Sequence, residues 1–139
     1  MKPKDCIFFN LVKAGQGATR FWAQKVAELN VTAAQAMVLS FLYDKDKTTS
    51  RELGERTLLD SATLTGIIDR LESVGLLIRE QNPKDRRAIL VTLTDEGQRI
   101  GESLKRMMIE ANREFLADFS DEEEVVLRGF LNRIRTDNG

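Results

Sequence analysis

Apolar residues in this chain recur at two different periods, and the change of period marks out its segments. Ile7, Leu11, Ala14, Ala18, Phe21, Trp22, Val26 and Leu29 recur mostly at spacings of three and four, which predicts a first helix from about Asp5 to Leu29 with one apolar stripe. Gly15 and Gly17 weaken it locally and leave room for another helix to approach. Thr32 stands where an N-cap belongs, ahead of a second helix, Ala33 to Tyr43, that is apolar on nearly every side. Such a helix belongs at the centre of a core. The polar run Asp44-Lys45-Asp46-Lys47 closes it in a loop.

Thr49 and Glu52 have capping-box spacing and open a short helix to about Thr57. Leu58-Leu59 turn the chain, and Asp60 or Ser61 caps the next helix. There Leu64, Ile67, Ile68 and Leu71 form the buried stripe, and Gly75 stands as its stop. Ser61, Ala62, Thr65, Gly66 and Asp69 are left on the outer face, with Thr65 opposite the stripe. The period then falls to two. Leu76 to Gln81 and Ala88 to Leu93 read as strands joined by a turn entered at Asn82-Pro83, so Lys84, Asp85, Arg86 and Arg87 occupy a hairpin tip. A short helix, a tight turn, a helix with a small polar face and a basic-tipped hairpin form a winged helix-turn-helix pattern, suited to the two grooves of duplex DNA.

Helical periodicity returns where Thr94 caps a long helix, with Asp95 and Glu96 in the first turn, where the helix dipole favours acids. Leu104, Met107, Met108, Ala111, Phe115, Leu116 and Phe119 carry the stripe of this long helix. Ser120 and Glu123 make a second capping box, and Val126 or Leu127, Phe130, Leu131 and Ile134 continue the stripe in a last helix. The fold class is therefore mostly α with a minor β part, in a single domain of 139 residues.

Composition narrows the function. An apolar fraction of 42% suits a folded soluble chain. No apolar run approaches the roughly 20 residues that span a bilayer, and the apolar core of a signal peptide is missing, so a cytoplasmic location is expected. One cysteine makes no internal disulfide, the lack of histidine argues against a zinc site, and no Ser-His or Cys-His pair can form. The acids sit at helix starts and on solvated faces, so no enzyme, metal or cofactor is expected. Net charge is only −1, but its distribution matters more. From Met107 to Gly139 four basic residues stand against eight acidic ones, Arg135 and Asp137 among them, a balance of −4 that leaves +3 on residues 1–106. An acidic carboxyl-terminal region held away from phosphates fits DNA binding.

The run Arg70 to Gly97, RLESVGLLIREQNPKDRRAILVTLTDEG, contains Gly75-Leu76-Leu77-Ile78, Asp85-Arg86-Arg87 and Leu93-Thr94-Asp95-Glu96-Gly97 in order. With these elements the chain resembles, over essentially its whole length, the MarR family of bacterial transcriptional regulators. The resemblance implies a DNA-binding lobe of about residues 33–94. It also implies that helices of about residues 5–29 and 95–136 form the dimerisation region of a homodimer. A pseudo-palindromic double-stranded operator is implied as the partner. Many family members are repressors released by a small aromatic or phenolic ligand, and some sense oxidants through a cysteine.

Candidate residues follow. Ser61, Thr63 and Thr65 stand at the groove-facing end of the recognition helix, where hydroxyls bond phosphates or base edges, or simply cap and solvate it. Arg70 reaches a phosphate or pairs with a carboxylate such as Glu72. Asp85 and Arg87, two apart on a tight wing, are placed to pair and fix the loop shape. By the resemblance Arg87 lies in or near the minor groove and Lys84 and Arg86 on phosphates, the alternative being a solvated charged loop. Phe8, Phe9, Phe21, Trp22, Met37 and Phe41 either line an effector pocket or pack the core and dimer contact. Cys6, at a helix amino end, is either a redox-active thiol or an inert one. Two alternatives to a ligand-released repressor stand beside it: a thiol-based regulator acting through Cys6, and a winged-helix module that binds another protein.

Overall fold

The computed structural model describes residues 1–134. The expected end of the last helix near residue 136, and the charges of Arg135 and Asp137, lie outside the described residues. The described chain folds as α1 (Ile7–Val26), α2 (Ala33–Asp44), β1 (Thr48–Thr49), α3 (Ser50–Thr57), α4 (Ser61–Ser73), β2 (Leu77–Asn82), β3 (Asp85–Leu93), α5 (Asp95–Phe115) and α6 (Asp121–Ile134). Single 3-10 turns at Pro3–Asp5 and Ala27–Leu29 bracket α1, so the regular helix is shorter at both ends than the apolar spacing predicts. Asn30, in the left-handed region at φ 58°, ends the second of these turns. Gly15 and Gly17 face open space, so within the chain they mark no close helix approach.

Buried leucines from every part of the centre meet in one core. Leu39 and Leu42 of α2, Leu53 of α3, Ile68 and Leu71 of α4, Leu77 and Val91 of the hairpin and Leu104 of α5 are at most 1% exposed. α2 is central, as its all-round apolar character predicts, although Met37 emerges from it to solvent. Its start is fixed by a complete capping box: the Gln35 N–H donates to Thr32 Oγ1 at 3.1 Å and the Thr32 N–H donates to Gln35 Oε1 at 3.0 Å. Ser120 and Glu123 close a second box at the head of α6.

The box expected at Thr49 is only half made. Thr49 Oγ1 accepts from the Glu52 N–H, but the Glu52 carboxylate turns to the buried Thr48 hydroxyl at 2.8 Å. The cause is β1, a strand the sequence pattern did not predict. It pairs antiparallel to β3, Thr48 opposite Val91 and Thr49 opposite Leu90, and makes the sheet three-stranded in the order β1-β3-β2. The end of β3 is buried on both faces at Val91, Thr92 and Leu93, where α2, α3 and α5 pack against the strand, whereas simple alternation predicts one.

Two contacts lock the hairpin base to the helices. α4 ends in a Schellman motif, with Leu76 N–H donating to Leu71 O and Gly75 N–H to Glu72 O, and Gly75 at φ 80° supplies the left-handed residue. Thr94 then donates to Gly75 O at 2.6 Å while its oxygen accepts from the Gly97 N–H to cap α5. At Gly97 a Cβ would lie 1.9 Å from Leu76 O, so only glycine lets α5 start this close to the end of α4. On the far side Asp46 accepts from Leu93 N–H at 3.0 Å and from Gln98 Nε2 at 2.9 Å, tying the loop after α2 to both β3 and α5.

The terminal helices differ from this centre. Ile7, Phe8, Phe9 and Val12 of α1, Ile109 and Phe115 of α5, and Val125, Val126, Phe130, Leu131 and Ile134 of α6 are exposed. α6 contains no buried residue. Among the described residues no single helix is long and apolar enough to cross a membrane.

Candidate nucleic-acid interface

α4 presents its polar side to solvent because Leu64, Ile68 and Leu71 hold the opposite side in the core. At 3.6 residues per turn, the line farthest from that stripe runs through Ala62, Gly66, Asp69 and Ser73, and all four are exposed. Thr65 is exposed too, but on the flank of this face, about 100° round from Leu64. Its hydroxyl donates back to Ser61 O at 2.8 Å and keeps its acceptor capacity outward. Thr63 lies on the other flank with Arg70.

Of the two candidate caps, Asp60 is the N-cap. Its carboxylate accepts from the Thr63 N–H at 2.8 Å and from the Thr63 hydroxyl at 2.7 Å. These bonds, the hydroxyl foremost, hold its pKa below the ordinary carboxylate value. Ser61 is freed from capping, with its side chain exposed at the first turn. The Thr63 donor is consumed, so only its lone pairs face outward.

The wing is shaped by a wide bulge. Gln81 pairs with Ile89 while the next residue, Asn82, pairs with Asp85, so Arg86, Arg87 and Ala88 protrude without ladder partners. Two side-chain turns brace the tip: Asn82 Oδ1 accepts from the Lys84 N–H and Asp85 Oδ1 from the Arg87 N–H, each at 3.0 Å. Gln81 Nε2 also donates to Arg86 O at 3.3 Å. The expected pairing of Asp85 with Arg87 therefore runs through the backbone, and the guanidinium stays free of it. Among the described residues no ion pair engages Lys84, Arg86 or Arg87, and all three are exposed.

Arg70 is likewise outside every ion pair among the described residues, because the carboxylates beside it in sequence are already taken. Arg79 of β2 holds them: Nη2 donates to Asp69 Oδ1 at 2.5 Å, Nη1 to Glu72 Oε1 at 2.7 Å, and the Arg79 N–H to Glu72 Oε2 at 3.1 Å. Hydrogen bonding to Asp69, with Glu72 adding to it, raises the Arg79 pKa above its ordinary value. Sequence reading missed Arg79. Its available signal was strand alternation, which puts it on the same packed face as Leu77.

The six effector-pocket candidates do not gather in one place within the chain. A cavity of about 370 Å³ opens between α2 and α5, lined by Phe41, Tyr43, Lys105 and Met108 among others, and of the six only Phe41 lines it. Behind it Arg56 stands over the Phe41 ring at 5.3 Å and pairs with Asp44 at 3.0 Å, while its buried Nη1 has no partner among the described residues. Phe21 packs on Phe115 with ring centroids 5.2 Å apart, and Trp22 packs on the central core. Phe8, Phe9 and Met37 are exposed. Cys6 is the half-buried N-cap residue of α1. No group of three or more His, Cys, Asp or Glu side chains among the described residues is placed to hold a metal ion.

A model of the MarR family matches residues 29–88. The organic hydroperoxide resistance transcriptional regulator of Bacillus subtilis is 32% identical over 97 residues, 70% of this chain and 66% of that protein. The chain thus spans about two thirds of that relative's length. Among solved structures, BpsR of Bordetella bronchiseptica, whose DNA binding is regulated by 6-hydroxynicotinic acid, superposes with a TM-score of 0.89 at 27% identity, over 96% of each chain. A mutant MarR from E. coli, complexed with operator DNA, gives 0.85 at 27% identity, over 96% of this chain and 97% of that one. Wing, helix pair and flanking helices all recur in proteins that regulate transcription, and this chain belongs to the MarR family.

Proposed function

We propose that this chain regulates transcription by binding a pseudo-palindromic duplex operator as a homodimer, with the central lobe of about residues 33–94 reading one half-site per subunit. The observation that carries this reading is the wing tip. Arg86 and Arg87 are pushed forward by a bulge, Lys84 stands in the turn beside them, and all three are left without carboxylate partners among the described residues. Cations so placed suit phosphates and a narrow minor groove, while Ser61, Thr63 and Thr65 on α4 face the adjacent major groove and Arg70 a backbone phosphate. That the E. coli relative is solved in complex with operator DNA supports an operator as the partner. The uncovered apolar residues of α1, α5 and α6 supply the surface for a second copy.

The regulation we infer is repression relieved by a small aromatic or phenolic ligand. Its support is the cavity between α2 and α5, which combines Phe41 and Tyr43 with Lys105, together with the ligand-regulated Bordetella relative. An electrophoretic shift with DNA upstream of the chain's own gene tests the DNA reading. Sequence-preferring, salt-dependent binding is expected, and its absence would sink the proposal. A thermal-shift screen with aromatic acids and phenols tests the effector.

One observation favours a second reading, regulation through a thiol. Cys6 occupies the N-cap position of α1, and the B. subtilis relative is named for hydroperoxide resistance. A Cys6→Ser variant released from DNA by peroxide as readily as the parent protein would remove this reading.

A further inference from the structure

We propose that Arg79 is a positioning residue for operator recognition, fixing the wing against the recognition helix and turning two recognition-helix carboxylates away from the DNA phosphates. The proposal rests on the DNA-binding reading above and deepens it.

Asp69 and Glu72 are three apart on α4, hence neighbours on its surface, and one guanidinium spans both. Glu72 accepts twice, from the Arg79 side chain and from its backbone N–H, so the bond set fixes strand as well as side chain. A planar fork held at two points on a helix defines the angle between helix and strand, which a lysine's single ammonium cannot do. Asp69 lies on the outward line of α4, one turn beyond Thr65, where an unpaired carboxylate would repel a phosphate. The fork offsets one of the two negative charges and orients both acceptors toward β2. Stability gains little from it, because the Arg79 side chain is 29% exposed and its partners are 60% and 40% exposed. Its effect falls on geometry and charge at the groove.

The test compares Arg79→Lys, Arg79→Gln and the triple variant Arg79→Gln, Asp69→Asn, Glu72→Gln. Operator and random-sequence DNA are titrated by fluorescence anisotropy at several salt concentrations, with the thermal midpoint as control for folding. Arg79→Lys keeps the charge and is expected to weaken operator binding about tenfold while leaving random DNA nearly unchanged, the mark of lost preorganisation. Arg79→Gln weakens both. The triple variant recovers random-sequence binding but not operator binding. Operator affinity at the parent level in Arg79→Lys would overturn the positioning role. Failure of the triple variant to recover random-sequence binding would make Arg79 a direct phosphate contact and overturn the charge role. A second readout needs no DNA: spin labels on Ser73→Cys and Lys84→Cys, in a Cys6→Ser background, should report a distance distribution that broadens in Arg79→Lys. An unchanged distribution overturns the proposal, whereas a broadened one beside a parent protein that binds no DNA overturns only the DNA-binding reading.

Discussion

The central lobe and the terminal helices carry equally clear apolar stripes, yet they end in opposite states. In the lobe the stripes are consumed: Leu39, Leu42, Leu53, Leu71 and Leu77 are wholly buried against one another. On the terminal helices Phe8 is 75% exposed, Val125 70% and Phe130 53%. α6 touches the rest through bonds such as Arg128 Nη2 to Asn112 Oδ1 at 3.2 Å, not through a core of its own. A stripe states that a surface is to be covered and says nothing of which chain covers it. The lobe meets that demand internally, whereas on α6 and on the outer turns of α1 and α5 the described residues leave it unmet.

The sharpest way to break the comparison is to cut a large apolar side chain from each side. Leu42→Ala empties a fully buried site and is expected to cost about 2–5 kcal/mol in chemical denaturation. Phe130→Ala should cost far less in any state where the second copy is absent, such as high dilution. Equal losses for the two in dilute protein would show that α6 packs on its own chain.

Next in size comes a charge on the uncovered face. Phe130→Glu should weaken self-association by roughly 2–4 kcal/mol, the scale of a buried anchor at an interface. Analytical ultracentrifugation would show monomers whose lobe keeps its circular dichroism. These monomers should bind a single half-site nearly as before but lose the gain that a full operator gives a dimer. A dimer unaffected by Phe130→Glu would place the contact elsewhere.

What the sequence made legible divides along the same physical line. Helix stripes, the Thr32, Thr94 and Ser120 caps and the Gly75 stop are local signals spanning a few residues, and each recurs in the fold. Two-residue β1 has no period to detect, and its partners Leu90 and Val91 lie some forty residues on. The bonds of Asp46 to Leu93 and Gln98 are equally distant in sequence, so a polar loop residue gave no sign of bracing the lobe. At the site, the exposed wing cations and the exposed α4 hydroxyls were readable because exposure follows from the pattern. Arg79 was not, since a bridge between strand and helix depends on how they pack. The aromatic residues of α1 looked like a cluster only because they are close in sequence.

Within the lobe, the wing is the part that gives up packing for reach, and Arg87→Ala tests it. The protruding side chain supports no core residue, so stability in chemical denaturation should hold within about 0.5 kcal/mol. Operator affinity should fall by about 1–3 kcal/mol if the guanidinium enters a groove. An unchanged affinity would make Arg87 a solvated loop charge and shift the minor-groove role to Arg86. A comparable loss on random DNA, with the salt slope reduced by about one, would make it a phosphate contact instead.

The smallest effect lies at the head of α4, where the fold and the reading face meet. Asp60 caps the helix as a carboxylate, and the Thr63 hydroxyl and N–H lower its pKa. A group depressed in the folded state contributes stability above its unfolded pKa and loses it as pH falls through the lower folded value. Protonation near and below about pH 4 should therefore fray the first turn of α4. Amide exchange at Thr63 and Leu64 should accelerate there while exchange at Leu71, deep in the core, stays slow. Asp60→Asn keeps an acceptor for the Thr63 N–H without a titrating proton, so its first turn should be insensitive to pH over the same range. Because Asp60 is fully exposed, the effect belongs to the helix end and not to global unfolding. A pH response that persists in Asp60→Asn would trace the fraying to another carboxylate, and the nearest on this helix, Asp69, is the one Arg79 already holds.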